Sequence, residues 1–114
     1  MTGLRQWDVV KVRINPNDRD EHPAIILSPQ EMLDNPGFKR INVLYGSTKR
    51  PGDTTRPGIV LIDEADGCEH ATKVTCSFIH VVAKVKITSL LGHVSGPRMR
   101  RIRQEVVATL RFFG

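Results

Sequence analysis

The sequence holds 114 residues, with 17 Lys and Arg against 12 Asp and Glu and a formal net charge of +5. That length fits a single domain, 1–114, with one modest core and much exposed surface, and no stretch approaches the ~20 apolar residues of a membrane helix. Two cysteines, Cys68 and Cys76, are too few for a disulfide scaffold, which excludes the small secreted frameworks. Met1–Leu4 shows no apolar run behind basic residues, so a cytoplasmic location without a leader is expected. The excess of base favours polyanions through Coulomb attraction and counterion release, which points to nucleic acid as partner.

Asp8–Ile14 alternates, with Val10, Val12 and Ile14 on one face and Lys11 and Arg13 on the other, predicting a half-buried strand. Asn15-Pro16-Asn17-Asp18 supplies turn residues, and Pro23–Leu27 reads as a buried strand stopped by Ser28-Pro29. A loop over Gln30–Lys39 holds a helical turn around Glu31–Leu33, and Ile41–Tyr45 is the third strand. Gly46–Gly58 follows, thirteen residues of turn-formers and base, a length usually found in functional or disordered loops. Ile59–Ile62 resumes the sheet; after a loop over Asp63–Thr72, Lys73–Phe78 and Val81–Ile87 supply one or two more strands. Met99, Ile102, Val106, Leu110 and Phe113 recur every three or four residues and define one face of a closing helix. Ser95 stands at its N-cap and Pro97 in its first turn. Arg98, Arg100, Arg101, Arg103 and Arg111 decorate it, read in preference as a solvated face. Five or six short strands and one helix make a mainly β, α+β domain: a small curled sheet or barrel, SH3-like or OB-like, capped by the helix.

Four segments resemble the MazF/PemK family of toxin ribonucleases from bacterial toxin–antitoxin pairs. Asp8-Val9-Val10-Lys11-Val12 is similar to that family's opening strand. His22-Pro23-Ala24-Ile25-Ile26-Leu27-Ser28 is similar to its second strand, usually begun by Arg-Pro. Ile41–Tyr45 with Ser47-Thr48 resembles its third strand and the polar residues at its end. Gly92-His93-Val94-Ser95 resembles its Gly-x-Leu-Ser entry to the last helix. The segments follow one another in the family's order and spacing from Arg5 to Phe112. The resemblance implies a CcdB/MazF-like, SH3-like small barrel, a homodimer, metal-independent cleavage of single-stranded RNA, and an acidic antitoxin that covers the RNA groove. It also implies inhibition of growth by cutting mRNA. The sequence departs from the pattern where His22 replaces Arg, where Trp7 replaces a small residue, and where Phe78-Ile79-His80 stands for a Gln-x-Arg-like stretch.

Cleavage of this kind activates a 2′-hydroxyl, protonates the leaving 5′-oxygen and holds the phosphate as charge builds. An imidazole, with an ordinary pKa of roughly 6.5, offers both protonation states near neutrality, so His22 is the acid/base candidate. Ser47 and Thr48 are candidates for donating to the phosphate, alongside a plainer reading as turn-formers. Lys49, Arg50 and Arg56 in the long loop, with Arg19 and His80, are the candidate RNA contacts. Cys68-x-His70 and Cys76-x-x-x-His80 match no usual zinc spacing, and residues four apart on a strand lie roughly 13 Å from each other. Buried thiols are the preferred reading, and no metal or cofactor is expected. The alternative function is a non-catalytic member of the fold that binds RNA or a protein target such as gyrase. A third reading is an unrelated barrel that binds nucleic acid structurally.

Overall fold

The computed structural model describes residues 3–17, 21–53 and 56–110. The chain runs β1 (Asp8–Val12), β2 (His22–Ile26), α1 (Gln30–Asp34), β3 (Arg40–Thr48), β4 (Ile59–Ile62), β5 (Thr72–Thr75), β6 (His80–Ala83), β7 (Ile87–His93) and α2 (Gly96–Leu110). Glu64–Asp66 and Lys84–Lys86 form 3-10 turns. The strands lie in the order β4-β5-β3-β2-β1-β7, with β6 also paired to β3, and every ladder is antiparallel. Register shifts between Val9 and Val10 and between Lys11 and Val12 on the β1–β7 ladder bend the sheet. The result is a curled sheet in which β4 and β7 end the strand path without closing it, so the expected SH3-like barrel holds only in a loose sense.

Period-two alternation places both faces of this sheet in apolar surroundings. Val9, Ile25 and Leu44 join Val60, Ile62, Val74 and Ile102 in one cluster, and Val10, Val12, Ala24, Ile26, Ile41 and Val43 join Val82 and Ile87 in the other. The expected solvent face of β1 is therefore half right: Lys11 is the partly exposed member, while Val9 is wholly buried. Ile14, expected in the core, lies beyond the strand and is 46% exposed. The segment expected as one strand over Val81–Ile87 breaks at Lys84–Lys86, so β6 and β7 become separate strands.

Ile102 is fully buried, and Met99 and Val106 pack beside it on α2, as the helical spacing predicts. Phe113, expected on the same face, lies outside the described residues. Ser95 precedes the helix, its carbonyl accepting from the Met99 N–H at 2.8 Å while its own N–H donates to Asp66 Oδ1 at 2.9 Å. One arginine of the helix is not solvated decoration: Arg98 donates to the buried Asp66 and, at 2.8 Å, to Asp63. Gly67 and Gly92 let this turn press onto β7, since a Cβ on Gly67 would stand 2.3 Å from the Leu91 carbonyl oxygen and one on Gly92 2.4 Å from that of Asp66.

Hydrogen bonds from Arg98 and from the Ala65 N–H hold the Asp63 carboxyl down at about 2, well below the usual carboxylate value. Its contribution to stability is thus complete above pH ~4 and lost as the pH falls toward 2. Arg98→Met leaves the buried Asp66 without its cation and is expected to lower stability at pH 7 by about 3 kcal/mol in urea melts. Between pH 4 and 2 the variant should lose stability less steeply than the parent.

Candidate functional site

The strand ends that converge at one end of the sheet come from β1, β2, β3 and β5. Lys11 of β1 faces Pro23 of β2, and Val12 faces His22. On the far side, Gly46, Ser47 and Thr48 of β3 pair with Val74, Lys73 and Thr72 of β5. The expected loop over Gly46–Gly58 is therefore shorter at its start, because Gly46-Ser47-Thr48 is strand. Its turn propensity yields to the β5 ladder, which satisfies the backbone groups. Gly46 makes the closeness possible: a Cβ there would meet Thr72 Cγ2 at 2.6 Å and Pro23 Cγ at 3.4 Å.

An open groove of about 900 Å³ runs over this end. His22, Ser47, Thr48 and Arg50, four of the residues expected to act, line it together. Lys11, Arg13 and Lys73 line it as well, and the sequence reading had not singled them out. For Lys11 and Arg13 a signal existed, since they alternate with buried valines on the strand that pairs with His22. Lys73 became part of the site only through the long-range β3–β5 register.

Other expected residues sit elsewhere. Lys49 and Arg56 lie outside that lining; the Lys49 N–H donates to the Ala71 carbonyl at 2.8 Å and Arg56 is exposed. His80 borders a neighbouring recess with Tyr45, Phe78 and Thr75, which shares Gly46 and Ser47 with the main groove. Its ring lies 4.4 Å from that of Tyr45, tilted by 42°. Arg19 lies outside the described residues.

Carboxylates enter the groove among the cations. Glu69 pairs with Lys11 at 3.2 Å, Glu21 with Arg13 at 3.3 Å and Asp53 with Lys73 at 2.9 Å. A hydrogen bond from the Arg50 N–H, followed by one from Lys73, lowers the Asp53 carboxyl below its usual value. For Glu21 the Thr88 hydroxyl is the largest cause, with Arg13 adding to it. Cys68 and Cys76 are buried in the apolar cluster, and loss of hydration raises both thiols, that of Cys76 to about 11. Among the described residues no group of three or more His, Cys, Asp or Glu side chains is arranged to hold a metal ion. No described helix is long and apolar enough to cross a membrane.

The tight junction at Gly46 yields a test of the site's architecture. Gly46→Ala should cost about 1–3 kcal/mol in urea melts through overpacking. Adding Thr72→Ser, which removes the clashing Cγ2, should return most of that loss.

Residues 5–110 match the family model described as PemK-like, MazF-like toxin of type II toxin-antitoxin system. Among solved structures, the chain is similar to a mycobacterial endoribonuclease in complex with its cognate antitoxin. The TM-score is 0.79 and the identity 16%, over 100% of this chain and 99% of the other. It is similar also to the Mycobacterium tuberculosis toxin MazF-mt6, with a TM-score of 0.75 and 12% identity over 94% and 99% of the two chains. The MazF fold of a MazE–MazF structure from Deinococcus radiodurans aligns with a TM-score of 0.75 and 14% identity, over 96% and 98%. No curated protein sequence matches the chain.

Proposed function

This chain belongs to the PemK-like, MazF-like toxin family of type II toxin–antitoxin systems, and from that premise we propose that it is an endoribonuclease that cuts single-stranded RNA without a metal ion. One observation carries the proposal: His22, Ser47, Thr48 and Arg50 share one open groove with three further cations. In this mechanism a ribose 2′-hydroxyl attacks the adjacent phosphorus and gives up its proton, and the leaving 5′-oxygen takes one. The products are a 2′,3′-cyclic phosphate and a 5′-hydroxyl end. The His22 imidazole moves protons, the Ser47 and Thr48 hydroxyls donate to the non-bridging oxygens, and Arg50 offsets the charge that builds there. The tilted His80–Tyr45 pair offers a surface for a base next to Ser47. Lys49 and Arg56 add backbone contacts, and Arg19, outside the described residues, is a candidate for another.

The partner of such a toxin is an acidic antitoxin segment that lies over the same cations and withholds them from RNA. The neighbouring structures named for toxin and antitoxin together support this. Two copies of the chain form the working unit. Phe78 and Val81, 64% and 62% exposed at and beside β6, which pairs only with β3 among the described strands, support that pairing. The reaction takes place in the cytoplasm, where mRNA is the accessible single strand.

A long single-stranded RNA incubated in EDTA with the purified protein tests the activity. Cuts bearing cyclic-phosphate ends are expected, and His22→Ala, folded as judged by its melting curve, should cut at least about 100-fold more slowly. Intact RNA that is nonetheless shifted in a gel would replace the enzyme with the RNA-binding alternative. Undiminished cutting by His22→Ala would remove His22 from the chemistry.

A further inference from the structure

The groove contains anions supplied by the protein itself. Three of its four Lys and Arg side chains are paired there with carboxylates that also line it, leaving one lysine or arginine charge in excess of the carboxylates among the described lining residues. Among the described residues, Arg50 is the one lining lysine or arginine without a carboxylate partner. The pairs join different elements: β1 to the Asp63–Thr72 loop, the residue after β1 to the one before β2, and β5 to the loop after β3. Each is reached by solvent, so each holds its cation only weakly. Glu21 and Asp53, with their carboxyls held below the usual range, stay ionised throughout the neutral region.

A phosphate entering the groove meets cations whose charge is already balanced. It must take the place of a carboxylate that stays tethered nearby and repels it. A contact with one site gains little, whereas a flexible strand that engages several sites together releases all of the pairs.

We propose that Glu21, Asp53 and Glu69 are built-in counter-anions that set the affinity and selectivity of the groove, and that Arg13, Lys73 and Lys11 are the phosphate ligands they mask. This rests on the groove being the RNA site proposed above. The carboxylates mark the phosphate positions and reject short or stiff polyanions that cannot satisfy them together. A net charge of +5 thus need not make the groove an indiscriminate binder.

Binding of a fully 2′-O-methylated single strand, which cannot be cut, is measured between 50 and 300 mM salt, with roughly these limits chosen to expose counterion release. Glu21→Gln, Asp53→Asn and Glu69→Gln are each expected to bind several-fold tighter at the low-salt end, and the triple variant at least about 30-fold tighter. The slope of log affinity against log salt should steepen by about 0.7 for each cation unmasked, close to 2 in the triple variant. Lys11→Gln added to Glu69→Gln should abolish the gain from the latter. Glu31→Gln, on α1 and away from the groove, changes net charge equally and should gain little.

Wild-type binding with no change in the triple variant would overturn the masking while leaving the RNA site intact. An equal gain from Glu31→Gln would overturn it too, in favour of net charge alone. Absence of binding by wild type and triple variant alike would remove both the site and its masking. Binding by the triple variant only would support the masking in its strongest form.

Discussion

Everything at the candidate site depends on one strand carrying three partners. β3 pairs with β6 through Arg40–Val43, with β2 through Val43–Tyr45 and with β5 through Gly46–Thr48. A nine-residue strand can do this only if its neighbours change along its length without steric conflict, and the change falls at Gly46. With no side chain there, Thr72 and Pro23 take up the space a Cβ would need, lying 2.6 and 3.4 Å from its position. The strand ends from β1, β2, β3 and β5 are then brought into one patch. Ser47 and Thr48 owe their shared position to that ladder and not to the local turn chemistry their sequence advertises.

The parts of the sequence that were most legible are those whose partners are implied by periodicity. Alternation in Asp8–Val12 and the helical spacing of Met99, Ile102 and Val106 follow from local geometry, but the burial of Val9 on the Lys11 face of β1 comes from packing that alternation does not show. The structure explains why the four family-like segments travel together. Asp8 and His93 face each other across the β1–β7 ladder, with His93 Nδ1 2.8 Å from Asp8 Oδ1. The Val94 N–H donates to the Trp7 carbonyl at 3.0 Å, and the Trp7 N–H to that of Ile26 at 2.8 Å. The family-like segments are thus joined to one another, Asp8 to His93 directly and Val94 to Ile26 through the Trp7 backbone, and Asp8 is buried as a structural acceptor. The separation of β6 from β7 was not readable, because Val81–Ile87 is apolar enough to pass for one strand. The break appears only where Lys84 reaches back to donate to the Met32 carbonyl at 2.6 Å. Lys73 was equally hidden, since nothing local ties it to Ser47.

Net charge was a poor guide to where charge acts. The arginines of α2 look like one basic face, yet they divide by contact. Arg98 is held by Asp63 and the buried Asp66, and Arg103 stands 6.0 Å from the centre of the Trp7 ring. Arg100 and Arg101 are exposed. Much of the formal excess is accordingly structural or dispersed, and the groove is close to neutral. A basic composition and a basic site are separate properties, and only the ion-pair geometry distinguishes them.

That distinction bears on what a replacement of arginine by His22 can mean. In a groove rich in unpaired cations, one guanidinium more or less would change phosphate binding by a modest factor. Here three of the four lining Lys and Arg side chains are paired with carboxylates, so on the proposed RNA site the holding of a phosphate falls mainly to Arg50 until a strand displaces those carboxylates. A further cation at position 22 would raise affinity while adding no proton carrier. On the proposed function, an imidazole there supplies a group that can both accept and donate a proton, which a guanidinium does not. On the proposed RNA site, the substitution and the internal ion pairs act in one direction: both lower the attraction for polyanions in general, and the first does so while keeping a side chain able to carry a proton.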